Sequence, residues 1–203
     1  MKNTQFQDCI VLATDTEQCQ ILIARFDRAG SNARLQLADH AQTLLGLEPQ
    51  TVGRDAAGAP VWSGDLGGSF SHWRDWSACV IAKGAAADFG IDLEGIVDEA
   101  TGAVIRAEAL DAAEAELIDQ SPVPRFVAET LVFSAKESFF KAAFPRVGRV
   151  FGFDEVRLVA PLSADNLTLR VCRGLADLGP GFHVDVHCKI YDGFVLTWCA
   201  IPR

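Results

Sequence analysis

Beyond Pro145 the chain holds only strand-length runs, over residues 154–159, 167–172, 182–190 and 194–200, and the last two are joined by the tight turn Tyr191-Asp192-Gly193. Strands linked by so short a turn pair antiparallel, because a parallel pair needs a long crossover. The second half of the chain therefore builds an antiparallel sheet, and its helices must come from upstream.

Upstream, residues 21–26 read as a strand, and residues 32–47 carry apolar positions at helical spacing in Leu35, Ala38, Ala41, Leu44 and Leu45. Residues 52–69 are rich in glycine and predict a loop where backbone can approach a ligand closely. Two strands over 77–82 and 89–94 follow. Residues 103–118, rich in alanine and glutamate, predict one helix, interrupted by Ser121-Pro122-Val123-Pro124. A further helix over 129–144 is closed by Pro145. Helix plus antiparallel strands in each half makes the fold class α+β, divided near residue 100 into an N-terminal half (1–100) and a C-terminal half (101–203).

The net charge of −9 excludes general binding to nucleic acid, which needs a basic face. Residues 1–100 hold 7 basic and 14 acidic side chains, residues 101–203 hold 11 and 13. The nearly neutral second half predicts a local basic patch from Arg125, Lys136, Lys141, Arg146 and Arg149. No apolar run approaches the roughly 18 residues of a membrane span, and residues 1–8 lack the plan of a signal peptide, so the expectation is a cytoplasmic protein. Six cysteines without a CxxC pair, most in apolar surroundings, read as buried thiols.

Three groups of residues carry possible chemistry. In Asp92-Leu93-Glu94 two carboxylates leave the same face of a strand, and a magnesium ion suits such oxygen ligands, although a solvated strand face explains the pattern as well. Within Phe133-Ser134-Ala135-Lys136-Glu137-Ser138-Phe139-Phe140-Lys141, Glu137 and Lys141 stand one helical turn apart. They form either an ordinary surface pair or, with aromatics at Phe133, Phe139, Phe140 and Phe144, the lining of a cleft. Gly67-Gly68-Ser69-Phe70-Ser71-His72, just before a strand, offers backbone N–H groups, hydroxyls and an imidazole to a phosphate, or is a plain turn. His183, Asp185 and His187 alternate on one strand face and read as the polar side of a half-buried strand rather than a metal site.

In order and spacing, Ser69 to His72, Gly90-Ile91-Asp92-Leu93-Glu94 and Phe133 to Lys141 together resemble the three signatures of Sfp-type 4'-phosphopantetheinyl transferases. The phrase Phe-Ser-Ala-Lys-Glu-Ser resembles the siderophore-synthase-activating (enterobactin synthase component D-like) branch. Gly58-Ala59-Pro60-Val61-Trp62 and Gly193 to Cys199 extend the likeness over roughly residues 34 to 200. The sequence departs from the pattern at Trp73, where a small residue is usual, at Ser63, and at Asp39-His40, where the branch has Gly-Arg.

The resemblance implies two similar α+β halves related by a pseudo-twofold axis, with coenzyme A between them. It also implies that Asp92, Glu94 and Glu137 hold magnesium, that Glu137 helps deprotonate the serine of an acyl or peptidyl carrier protein, and that Lys141 steadies the phosphates. Arg54, Ser71, His72, Lys136 and His40 would contact coenzyme A. A pseudo-dimeric chain needs no partner copy, so a monomer is expected. The alternative is a relative that grips coenzyme A or a carrier protein without chemistry, but Asp92, Glu94, Glu137 and Lys141 are all present. A metal-dependent phosphodiesterase would need more histidines and carboxylates.

Arg54 is the always-charged fork expected at the 3'-phosphate. Arg54→Ala should then weaken coenzyme A more than dephospho-coenzyme A by roughly 1.5 to 3 kcal/mol, measured by titration at fixed ionic strength; equal losses for the two ligands place the 3'-phosphate elsewhere.

Overall fold

A computed structural model describes residues 8–12, 18–26, 32–84 and 86–203. The first seven residues, on which the reading of the N-terminus rested, lie outside them. The fold is α+β, and every strand pairing among the described residues is antiparallel.

Strands β1 (Asp8–Leu12), β2 (Cys19–Arg25), β5 (Leu66–Trp73) and β6 (Trp76–Lys83) form one sheet in the order β1-β2-β6-β5, and β3 (Gly53–Arg54) pairs with β4 (Pro60–Val61) in a small ribbon. Strands β7 (Ala87–Gly95), β8 (Val156–Leu158), β9 (Asn166–Val171), β10 (His183–Ile190) and β11 (Phe194–Pro202) form the second, ordered β7-β11-β10-β9-β8. β7 thus precedes residue 100 in the chain but pairs along its whole length with β11.

Alternation along the strands builds four layers. On β2, Leu22 and Ala24 meet Leu37, Ala38 and Ala41 of helix α1 (Ala33–Leu44), while Ile21 and Ile23 face the other way. There they join Ala78 and Val80 of β6, Ile91 and Leu93 of β7, and Phe194 and Leu196 of β11 in a core between the sheets. The opposite face of β11, with Val195 and Cys199, packs on Leu131, Ala135, Phe139 and Ala142 of helix α4 (Arg125–Val147). The order is helix, sheet, sheet, helix. Both faces of β2 and β11 are covered, which is why their sequences are nearly continuous apolar runs.

Some boundaries differ from the sequence reading. The glycine-rich stretch is strand from Leu66 onward, so the serine–histidine motif lies within β5. The single helix expected over 103–118 is two, α2 (Glu99–Glu108) and α3 (Ala112–Asp119), because Asp111 caps the N–H of Glu114 while Glu114 reaches back to the Asp111 N–H. Helix α4 starts directly after Pro124 and continues past Pro145 to Gly148, whose left-handed φ of 65° ends it. Cys79, Cys188 and Cys199 are buried as expected, but Cys9 is exposed on edge strand β1. Among the described residues no helix is long and apolar enough to cross a membrane.

One buried carboxylate fastens the C-terminal strand to α4. Asp88 accepts from Arg146 at 2.6 Å and from Arg203 at 2.6 and 2.8 Å, and Arg146 also donates to the carbonyls of Ile201 and Pro202. Burial pushes the Asp88 carboxyl up, but the hydrogen bonds from the two guanidinium groups outweigh it and leave it below its ordinary 3.8. Its contribution is therefore complete above the unfolded value and is lost as pH falls through the depressed folded one. Urea denaturation should find Asp88→Ala about 3 kcal/mol less stable at pH 7, because Arg146 is left without its buried partner. That gap should narrow below pH about 4; a constant gap down to the acid transition contradicts the linkage.

Candidate active site

On β7 the side chains of Asp92 and Glu94 leave the face opposite Ile91 and Leu93 and point to α4. Asp92 is 4% exposed and receives donors from two directions. Its Oδ1 accepts from Lys141 Nζ at 2.7 Å and from Ser71 Oγ of β5 at 3.0 Å, and its Oδ2 accepts from Ser134 Oγ at 2.7 Å. Lys141 also donates to the Ile91 carbonyl at 3.1 Å.

Behind Asp92 lies a buried row of hydroxyls. Ser134 gives its proton to Asp92, so Thr197, 2.9 Å away and directly opposite Asp92 on β11, must donate to Ser134. Ser138 donates to the Thr197 carbonyl at 3.0 Å, and its oxygen lies 2.6 Å from the Thr197 hydroxyl. Ser138, Thr197 and Ser134 thus form a buried hydroxyl network that ends on Asp92, and buried polar groups satisfied in this way hold one geometry.

The close seat of α4 on β7 depends on Gly90, two residues before Asp92 on the same face. A Cβ there would fall on the Ser138 carbonyl oxygen, and within 3 Å of the Ala142 nitrogen. Without a side chain at Gly90 the helix approaches near enough for Ser134 and Lys141 to reach one carboxylate.

Glu137 lies one turn before Lys141, and three carboxylates share a single ammonium. Burial pushes Glu94 up to about 7, and the neighbouring charges of Asp92 and Glu137 push the same way against the pull of Lys141 and of the Gly95 N–H. Burial likewise raises Glu137, with Asp92 adding to it and Lys141 opposing. The group is short of positive charge, with one ammonium facing three carboxylates. Among the described residues no three His, Cys, Asp or Glu side chains are grouped closely enough to hold a metal ion by themselves. Magnesium does not require such a group, since water and phosphate oxygens complete its octahedron.

Asp92, Glu94, Glu137 and Lys141 are thus brought together. Ser71 is there too, but its hydroxyl is committed to Asp92 rather than turned to a ligand. His72 is exposed on β5 next door. Arg54 is exposed on β3, with a 3.4 Å bond to the Gly58 carbonyl, and His40 is half-buried on α1. Trp62 joins the β3–β4 ribbon to β5 by stacking on Phe70 and donating to the Gly68 carbonyl at 2.9 Å.

Lys136 is not brought to this group. It is 2% exposed, and its Nζ donates to the Ala109 carbonyl at 2.7 Å, the Phe153 carbonyl at 3.3 Å and the Glu114 carboxylate at 2.8 Å. Glu114 also accepts from the Leu158 N–H, so the pair ties α3, α4 and β8 together. The expected basic patch does not form, because Arg125, Lys136, Lys141, Arg146 and Arg149 each face a carboxylate. The phenylalanines of α4 pack under residues 151–153, Phe133 on Phe153 and Phe140 on Phe151. His183, Asp185 and His187 are the exposed side of β10, as the alternation suggested. Sequence reasoning missed Ser134, Ser138 and Thr197 as supports of Asp92; the i,i+4 spacing of the two serines was the available signal.

The family model described as the 4'-phosphopantetheinyl transferase superfamily matches residues 88–199. An enterobactin synthase component D of Salmonella austin is 35% identical over 158 residues, covering 74% of this chain and 65% of that protein. The 4'-phosphopantetheinyl transferase Svp of Streptomyces mobaraensis is 33% identical over 159 residues (77% and 61%), and Npt of Nocardia iowensis 29% over 195 (83% and 77%). The chain spans a little under two thirds of the length of the first two.

Lys136→Met should cost about 3 kcal/mol of stability, because Glu114 is left buried without its partner, while the coenzyme A affinity of the folded protein stays unchanged by calorimetry. An affinity loss as large as that of Lys141→Ala would put the Lys136 ammonium at the ligand.

Proposed function

Because this chain belongs to the 4'-phosphopantetheinyl transferase superfamily, we propose that it transfers 4'-phosphopantetheine from coenzyme A to a serine of an acyl or peptidyl carrier protein, releasing 3',5'-ADP. The observation that carries this reading is the carboxylate trio Asp92, Glu94 and Glu137 gathered around Lys141 where α4 lies on β7. The halves 1–100 and 101–203 act as one unit with coenzyme A between them, and the back-to-back helix-on-sheet layers suit two halves of similar build.

In this reading Asp92, Glu94 and Glu137 hold the magnesium ion, which when bound neutralises charge on the pyrophosphate. Lys141 steadies the phosphate oxygens, and His72 and Arg54, both exposed, meet phosphates farther out, with His40 as a further contact. Ser71 and Lys136 serve the scaffold. Glu137, half-buried and raised by its surroundings, takes the proton of the acceptor serine as the serine oxygen attacks the β-phosphorus. The bond from that phosphorus to the oxygen of 3',5'-ADP breaks. With no covalent intermediate to form, the protein contributes positioning and charge. The likeness to proteins named for enterobactin synthase favours a peptidyl carrier of a siderophore system.

The test is the mass of an apo carrier protein after incubation with the enzyme, coenzyme A and magnesium. A gain of one phosphopantetheine is expected; coenzyme A binding without any gain, across several carriers, would favour the non-catalytic module. Glu137→Gln should keep some coenzyme A affinity yet lose roughly 10²- to 10⁴-fold in turnover, since the amide can occupy the site but cannot take a proton. Turnover like that of the wild type removes Glu137 as the base.

A further inference from the structure

We propose that Trp73 is a positioning residue for Glu94, acting through the seat of its indole on Gly95 at the end of β7. The inference rests on the reading of Glu94 as a metal ligand.

The carboxylates of the site are held differently. Asp92 is gripped by three side-chain donors, from Ser71, Ser134 and Lys141. Among the described residues Glu94 has no such side-chain donor, only the Gly95 N–H, so where its carboxylate sits is set by where the strand ends. That end is fixed by its neighbours: Gly95 pairs with Phe194, the Ile96 N–H donates to the Gly193 carbonyl at 3.0 Å, and the Val97 N–H to Thr130 Oγ1 at 3.2 Å.

The remaining side of Gly95 is filled by Trp73. A Cβ on Gly95 would lie 2.5 Å from indole Cε2 and 2.6 Å from Cζ2, closer than real side chains come. Nor is the ring free to retreat. Phe194 lies 5.6 Å from it and is itself packed by Trp76 at 5.2 Å and Tyr191 at 4.8 Å, while the Arg74 guanidinium stacks 4.5 Å from the ring centre. An indole clamped on these sides and seated on bare backbone works as a stop for the strand. A clash at this point moves the end of β7, and Glu94 is the next residue along it.

The experiment is a titration of Mn²⁺, in the presence of coenzyme A, followed by electron paramagnetic resonance, with wild type, Gly95→Ala, Trp73→Ala and the double variant. Gly95→Ala should weaken Mn²⁺ by roughly ten- to a hundredfold, the range seen when a ligand's support is lost. Adding Trp73→Ala removes the clash and should bring the affinity back to that of Trp73→Ala alone. An unchanged Mn²⁺ affinity in Gly95→Ala, or a double variant that binds Mn²⁺ more weakly than Trp73→Ala alone, overturns the proposal, even if thermal stability falls. If Gly95→Ala does not fold, Trp73→Ala decides: weaker Mn²⁺ supports the seat, unchanged affinity overturns it. Wild type that binds no Mn²⁺ at all fails at the earlier step, the assignment of the carboxylates to a metal.

Discussion

Asp92 is the joint of the molecule. Its two oxygens take a hydroxyl from β5 of the first sheet and a hydroxyl and an ammonium from α4, while its own backbone belongs to β7 of the second sheet. At 4% exposure an unpaired carboxylate would be costly, so the donors on either side are required, not optional. The same carboxylate that sits among Glu94, Glu137 and Lys141 therefore also holds the first sheet against the second and against its helix.

The rest of the architecture arranges that meeting. The apolar alternation of β2, β6, β7 and β11 puts two sheets back to back and leaves one helix outside each. Gly90 lets α4 lie directly on β7, and Thr197, opposite Asp92 on β11, turns a face that is otherwise aliphatic into a source of hydroxyls. Placing three acids beside a single lysine costs stability, and burial adds to that cost at Glu94 and Glu137. Charge imbalance of this kind is what a site binding magnesium and pyrophosphate would relieve.

Much of this could be read in the sequence, for identifiable reasons. The strands of the second half show plain alternation, as in His183 to Ile190, and a 180° period is hard to mistake. The carboxylates of Asp92 and Glu94 share a face by the same period. What could not be read depended on tertiary contact. Lys136 stands beside Glu137 in the chain, yet a helix turns neighbours about 100° apart, and Lys136 faces Glu114 in the interior. Gly67 and Gly68 suggest a loop by composition, but β6 and Trp62 hold them in a strand. The break between α2 and α3 was legible in the capping pair Asp111 and Glu114, hidden by an alanine-rich stretch that suits helix throughout.

If Asp92 is the joint, loosening it must be felt on both sides at once. Hydrogen exchange followed by mass spectrometry, comparing wild type with Asp92→Ala, reads this directly. The account predicts faster exchange together in residues 66–73 of β5 and in the part of α4 from Ser134 onward, with α1, which makes no contact to Asp92, unchanged. Faster exchange in only one of the two, or none in either, would contradict it.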